Sequence, residues 1–187
     1  MPGKCKVEIV QDARPRDNGS QADSVNEGLE AIYPQLRALA GSWWFREPTD
    51  HTLSPTAVVH EAYLALRRSA PDTERGRAYF FAAAAQAMRR VLVDHARRRS
   101  RRPEVCRVSI EGLAKDEHPQ VSVLELDDAL CELAREHPRS ARGAEYRLFA
   151  GMSPAQIVAV LDVSERTVQL DWRFARSFLR ARLWGDE

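Results

Sequence analysis

The sequence predicts an all-α protein made of two small helical domains joined by a linker. Apolar residues recur at helical spacing through most of the chain, and β-type alternation is nearly absent. Charge divides the chain into blocks: residues 25–102 carry 13 Arg against 8 acidic residues, residues 103–126 carry a net charge of −3, and residues 127–187 carry −1. These blocks predict domains at 25–102 and 124–187, a linker at 103–123, and a mobile extension at 1–24.

Composition excludes several classes of protein. The 187 residues are 44% hydrophobic and 29% charged, as in soluble globular proteins. No run of 18 apolar residues or signal-peptide core occurs, and three distant cysteines (Cys5, Cys106, Cys131) fit reduced thiols, so we expect a cytoplasmic protein without a membrane segment. Metal-ligand spacing, phosphate-binding glycine loops and a distinct catalytic set are all missing from the sequence, which predicts no cofactor, no metal and no enzymatic activity.

Three helices are predicted in the basic block. The first spans about residues 25–45, where leucine and isoleucine recur at helical spacing. The second begins at Ser54 and Pro55, a capping serine followed by a proline at the first helical position, and runs to about residue 68. The third covers about residues 77–102 and contains four consecutive alanines, which have the highest helix propensity.

The remainder of the chain is predicted to be a linker and four helices. Residues 103–122 contain two prolines and a glycine, so we expect a linker with at most a short turn of helix. Two helices follow at about 124–136 and 139–149. Capping serines, Ser153 with its capping-box partner Gln156 and then Ser164, begin the last two helices, the second of which continues to about residue 183.

The last two helices have the layout of a helix-turn-helix, because only the short turn 161–163 separates them. At 100° per residue, five polar residues of the second helix fall within an arc of about 80°: Arg166, Gln169, Arg173, Arg176 and Arg180. Val168, Ala175 and Leu179 lie on the far side. One face is thus predicted to contact DNA and the other to pack inward; the alternative is a merely solvated arginine face. Asp171 falls within the apolar arc, and we expect it to bond a nearby arginine.

A second basic segment ends the long third helix. Residues 89–102 contain seven arginines and one aspartate, a local charge of +6 that favours a polyanionic partner. The alternative is a solubilising helix end, where cations interact favourably with the helix dipole. Tyr79, Phe80 and Phe81 precede this segment and could stack on unpaired bases, although three aromatic residues on one helix more often belong to a core.

These motifs together resemble bacterial sigma factors of the extracytoplasmic-function (ECF) type. The similarity covers about residues 28–102 and 124–184, through HTLSPTAVVHEAYLAL, YFFAAAAQAMRRVLVDHARRR and FAGMSPAQIVAVLDVSERTVQLDWRFARSFLRARL. The resemblance implies that residues 25–102 form a sigma region 2-like domain, which binds core RNA polymerase and the minus-ten element. Residues 124–187 would form a region 4-like domain, whose last helix reads the minus-thirty-five element.

The resemblance also implies roles for individual residues. It implies that the clamp helices of the largest polymerase subunit are bound by His60, Glu61, Tyr63 and Leu64. DNA binding falls to Arg89, Arg90, Arg97, Arg98 and Arg99 at the minus-ten element, and to Arg166, Thr167, Gln169, Arg173 and Arg176 at the minus-thirty-five element. The flap region of polymerase is a further expected contact, and many relatives are held inactive by an anti-sigma factor.

Two other functions stay open at this point. One is a stand-alone helix-turn-helix regulator, dimeric on a palindromic site, although no dimerisation helix is evident in the sequence. The other is an adaptor that binds polymerase without reading DNA. The adaptor stays a possible function because Gln169 and Leu170 stand where the resembled subgroup usually carries a basic pair, which would contact DNA.

Overall fold

The computed structural model describes residues 18–43, 54–69, 76–99, 107–109, 113 and 120–185. Its helices are α1 (Asn18–Trp43), α2 (Pro55–Ser69), α3 (Arg77–Arg99), α4 (Val123–Glu136), α5 (Pro138–Ala150), α6 (Pro154–Leu161) and α7 (Glu165–Trp184), and its strands are β1 (Arg107–Ser109) and β2 (Gln120–Ser122). The all-α fold class is confirmed. In the part of the chain that the structure describes, every helix is too short or too polar to span a membrane.

Two segments differ from the sequence-based prediction. Helix α1 begins at Asn18, inside the segment predicted as a mobile extension; residues 1–17 lie outside the described residues. In the predicted linker, β1 and β2 pair antiparallel, with Val108 opposite Val121, where at most a turn of helix was expected. Strands of three residues are too short to show the alternating pattern by which strands are recognised in a sequence.

Helices α1, α2 and α3 enclose the core of the first block. Ile32 of α1, Val58 of α2 and Met88 of α3 are fully buried within it. Helix α1 crosses α3 closely at Gly28, where an added Cβ would lie 2.6 Å from the ring of Phe80. The predicted stacking role of the aromatic residues is therefore not available to Phe80 and Phe81, because both rings are buried in this core.

Helices α4 to α7 form the second block. The predicted inward face of α7 is confirmed, since Val168, Ala175 and Leu179 are all buried. Both predicted caps are also confirmed: Ser153 and Gln156 form a reciprocal capping box, and the Ser164 side chain accepts a hydrogen bond from the Thr167 N–H. Between them, Asp162 adopts a left-handed conformation (φ 52°) that ends α6 and turns the chain into α7.

The two blocks lie directly against each other. Helix α3 packs on α4 and α5, and Trp43 of α1 meets Phe149 of α5 edge to face, with ring centroids 6.0 Å apart. The sequence predicted domains separated by a linker, whereas the structure joins their cores into one hydrophobic cluster. This packing decides which arginines of α3 can reach a partner molecule.

Candidate nucleic-acid and polymerase interfaces

The arginines on the outer face of α7 have no acidic partner in the part of the chain that the structure describes. Arg166 and Arg173 are exposed, and Arg176 and Arg180 are half-buried. Among the described residues, none of these four guanidinium groups forms an ion pair, whereas Arg182, on another side of the helix, donates to Glu132 at 2.9 Å. A row of arginines along one face of a helix is suited to phosphate groups.

Two other predicted DNA-binding residues of α7 make local bonds. The Thr167 hydroxyl lies 2.8 Å from the Ser164 hydroxyl and takes part in the cap. The Gln169 side-chain amide donates to Glu165 at 3.3 Å, an exposed bond that a base edge could replace. Leu170, one position further, is 51% exposed and is the most exposed large apolar side chain in the described residues.

An ion pair fixes α7 against α5. The Arg139 guanidinium donates to Asp171 through two nitrogens, at 2.6 and 3.2 Å, and the Ser140 hydroxyl donates to the same carboxylate at 3.1 Å. The expectation that Asp171 bonds a nearby arginine is thus confirmed. The pair lies on the side of α7 away from the unpaired arginines, so it orients the helix without neutralising its outer face.

Sequence reasoning did not select Arg147 of α5. Its guanidinium lies over the Trp172 ring, 4.6 Å from the centroid, and burial together with the charge of Arg176 lowers its pKa. The Nε of Arg176 is buried and has no hydrogen-bond partner among the residues that the structure describes. A single arginine in the last turn of a helix gives no sequence signal beyond a favourable dipole interaction, so the pairing of these two residues depends on the fold.

Arg89 of α3 occupies a different environment. It is 8% exposed, and its side chain is bonded to the neighbouring helices α4 and α5. Its Nε donates to Asp127 at 3.0 Å, one terminal nitrogen lies 3.2 Å from Glu145, and the other contacts the Cys131 sulfur at 3.4 Å. The donors of Arg89 are thus bonded inside the protein, and the DNA contact expected from the sequence would require these bonds to break.

Burial and neighbouring charges have opposite effects on the pKa values of Arg89 and Glu145. Burial alone would lower the pKa of the Arg89 guanidinium, and the carboxylates of Glu145 and Asp127 reverse the effect and raise it. Burial raises the pKa of the Glu145 carboxyl, which Arg89 opposes. Since Glu145 is only 3% exposed, its charge is tolerated there because Arg89 lies beside it.

The other predicted DNA-binding residues of α3 lie closer to solvent. Arg90 is exposed and 4.0 Å from Asp94, while Arg98 donates to the Asp94 carbonyl oxygen at 3.2 Å. Arg97 is also exposed, although it reaches Asp127 at 3.2 Å. The side chain of Arg99 lies outside the described residues. The structure therefore separates one buried arginine from three that face outward.

The predicted polymerase-binding residues share one face of α2. His60 and Glu61 are exposed, and Leu64 is 39% exposed although it is apolar. Tyr63 is half-buried: its hydroxyl donates to Asn26 at 3.2 Å, and its ring stacks on His60 with centroids 6.4 Å apart. Helix α2 thus presents a surface of mixed apolar and charged character.

The fold and the α7 face define a helix-turn-helix DNA-binding protein with a second helical bundle attached. The described residues include no group of three or more His, Cys, Asp or Glu side chains that could hold a metal ion.

The family model for "ECF sigma factor" matches residues 14–185, nearly the whole chain, and the chain therefore belongs to the ECF sigma factor family. Sigma factors act in transcription initiation, bind core RNA polymerase and promoter DNA, and are not themselves enzymes. No curated protein and no solved structure matches the chain.

Proposed function

We propose that this sigma factor directs core RNA polymerase to promoters by reading a minus-thirty-five element with α7 and a minus-ten element with α3, while α2 docks on polymerase. The observation that carries the proposal is the row of unpaired arginines on α7. Four cations that have no acidic partner within the described residues, on a helix whose opposite face is buried in the core, form a surface complementary to the DNA backbone.

Helix α7 would divide its contacts between phosphates and bases. In a helix-turn-helix the N-terminal residues of the second helix meet base edges, so Arg166 and Gln169 are the candidates for hydrogen-bonded readout. Leu170 can contribute apolar contact only, for example with a thymine methyl group. Arg173 and Arg176, further along, supply phosphate contacts that set affinity and register.

Helix α3 would act at the minus-ten element through its exposed arginines first. Arg90 and Arg98 need no rearrangement to meet DNA, whereas Arg89 would have to leave Asp127 and Glu145. Its participation therefore requires α3 to separate from α4 and α5 when the protein binds polymerase. Holding an unstacked base outside the duplex costs a few kcal/mol, which additional contacts of this kind would offset.

Helix α2 would dock on the clamp helices of the largest polymerase subunit. The exposed part of Leu64 supplies apolar area, and His60 and Glu61 supply polar contacts at its rim, an arrangement common in protein interfaces. A sigma factor meets polymerase in the cytoplasm, so the proposal places the protein there. Contact with the flap region and control by an anti-sigma factor follow from the family and form part of the same proposal.

Run-off transcription with purified core polymerase and fragmented genomic DNA of the source organism tests the proposal. We expect transcripts that require both proteins, and loss of core binding in Leu64→Asp. Transcription that survives Arg166→Ala and Arg173→Ala together would favour the adaptor. A footprint from the chain alone, on a palindromic site and without core binding, would instead favour the stand-alone regulator.

A further inference from the structure

Two arginines from different helices lie together on the border between α5 and α7. Arg147 is in the last turn of α5, and Arg176 is in the second half of α7. Both are half-buried, and Arg147 lies over the ring of Trp172, 4.6 Å from its centroid. Stacking of this kind holds a guanidinium in one orientation while leaving its N–H edge available for hydrogen bonds.

The charges of Arg147 and Arg176 are not balanced by any acidic side chain in the described part of the protein. Among the described residues, neither side chain forms an ion pair, and the buried Nε of Arg176 has no acceptor. The pKa of Arg147 is lowered by burial and by Arg176, with no carboxylate acting in the opposite direction. The two guanidinium groups repel each other, and both side chains are only half-buried, so a ligand that brings negative charge to their exposed N–H groups would stabilise this arrangement.

The position of the pair indicates what that ligand is. Arg176 lies on the same stripe of α7 as Gln169, Arg173 and Arg180, and Trp172 lies next to it on the side toward α5. The pair therefore borders the surface proposed to enter the major groove. The sugar–phosphate backbone forms the edge of that groove, and a phosphate group presents several oxygens to two planar guanidinium groups.

We propose that Arg147 and Arg176 form a binding site for one backbone phosphate of the minus-thirty-five element, with Trp172 orienting Arg147. This rests on the proposed promoter readout by α7, and it adds a residue of α5 to that readout. The site fixes the register of α7 in the groove, because it anchors the backbone from a second helix. The alternative is that Arg147 only packs on Trp172 and binds no anion.

The first test uses the free full-length chain and inorganic phosphate as the probe. Thermal unfolding is compared in sodium phosphate and in sodium chloride of equal ionic strength. Phosphate should raise the unfolding temperature of wild type and of the control Arg182→Gln by more than it raises that of Arg147→Gln and Arg176→Gln, because the last two chains lack half of the site. The general stabilising effect of phosphate on proteins acts on all four chains. Equal gains in all four would overturn the anion site.

The second test uses the chain bound to core polymerase on a promoter fragment taken from run-off transcription. Phosphates of the minus-thirty-five region are replaced one at a time by uncharged methylphosphonates. At one position the methylphosphonate should weaken promoter binding by wild type about tenfold. The same replacement should not change promoter binding by Arg147→Gln. The salt dependence of binding should fall by about one phosphate contact in Arg147→Gln. Arg147→Lys keeps the charge but lacks the planar guanidinium, so its sensitivity to the methylphosphonate should lie between those of wild type and Arg147→Gln.

The outcomes separate this site from the proposed function. If no promoter is transcribed, the proposed function fails, while the phosphate-dependent unfolding still reports on the anion site. If promoters are transcribed and Arg147→Gln keeps wild-type affinity, salt dependence and sensitivity to every methylphosphonate, the site is overturned and promoter readout stands. A variant that loses affinity without losing the methylphosphonate response would also overturn it, because the loss would then come from altered folding.

Discussion

The arginines of α3 and those of α7 have different surroundings, although both helices carry dense positive charge. Arg89 of α3 is surrounded by Asp127, Glu145 and Cys131 from the second block. On α7, Arg166 and Arg173 are exposed and have no acidic partner among the described residues. Charge density in the sequence is similar in the two helices, so availability to DNA depends on which carboxylates the fold brings to each arginine.

Replacing the buried Arg89 of α3 and replacing the exposed arginines of α7 should have different effects on folding stability. An arginine that neutralises a buried carboxylate contributes to folding, and removing it leaves that carboxylate uncompensated. An unpaired arginine on the surface contributes little to folding and can be replaced with small effect on stability. Measurements of stability and of DNA binding should therefore separate the two helices.

The largest effect is expected for Arg89→Met. Removal of the guanidinium leaves Glu145, which is 3% exposed, without its cation. We expect the free energy of unfolding to fall by about 3–5 kcal/mol, measured by urea denaturation. A second substitution, Glu145→Leu in the same chain, should recover a large part of the loss, because it removes the uncompensated charge. Failure to recover any of it would show that Glu145 is not the cause.

The comparison also shows which features a sequence can predict. The caps at Ser153 and Ser164 and the buried stripe of α7 depend on local spacing or on the orientation of one helix, and both were predicted. The sequence also predicted that Asp171 bonds an arginine, although not that this arginine is Arg139, 32 positions away. The environment of Arg89 depends on residues 38 and 56 positions away in the chain, in a block expected to be separate. Local periodicity contains no information about such a pairing.

Arg147 was missed for a related reason. It is one of three arginines in α5, with Arg139 and Arg142, and nothing in the sequence distinguishes it from them. Its relevance comes from Trp172 and Arg176 on another helix. The two strands were missed because each has three residues. The all-α class could be predicted because helical periodicity extends over long segments, whereas the packing of the two blocks depends on shape complementarity between their surfaces.

The next largest effect is expected on DNA binding, for Arg173→Ala in α7. The side chain is exposed and forms no ion pair with any described residue, so the free energy of unfolding should change by no more than about 0.5 kcal/mol. Promoter affinity of the polymerase complex should fall by about 1 kcal/mol, and its salt dependence by about one phosphate contact, measured by titration of a labelled promoter fragment. Arg182→Ala is the matched control from the same helix, since Arg182 bonds Glu132. Equal losses in both variants would mean that overall charge, rather than the α7 face, determines affinity.

A pH-dependent effect is expected from Glu145. Burial raises the pKa of its carboxyl above the ordinary value of 4.5, so the folded protein holds this proton to a higher pH than the unfolded chain does. Stability from this group is therefore present below pH 4.5 and is lost as pH rises through the raised pKa. Urea denaturation from neutral to acidic pH should show wild type gaining stability relative to Glu145→Gln. A constant difference between the two chains would contradict the raised pKa.

The smallest effect on stability is expected for Arg90→Ala, the neighbour of Arg89 on α3. Its side chain is 77% exposed and its nearest carboxylate, on Asp94, is 4.0 Å away. An exposed ion pair of this kind contributes little to folding stability, so the free energy of unfolding should change by no more than about 0.5 kcal/mol. In run-off assays the same variant should produce less transcript, because Arg90 can meet minus-ten DNA without rearrangement. A large loss of stability would show that α3 depends on charge pairing along its whole length, and the contrast between α3 and α7 would then extend to its exposed arginines.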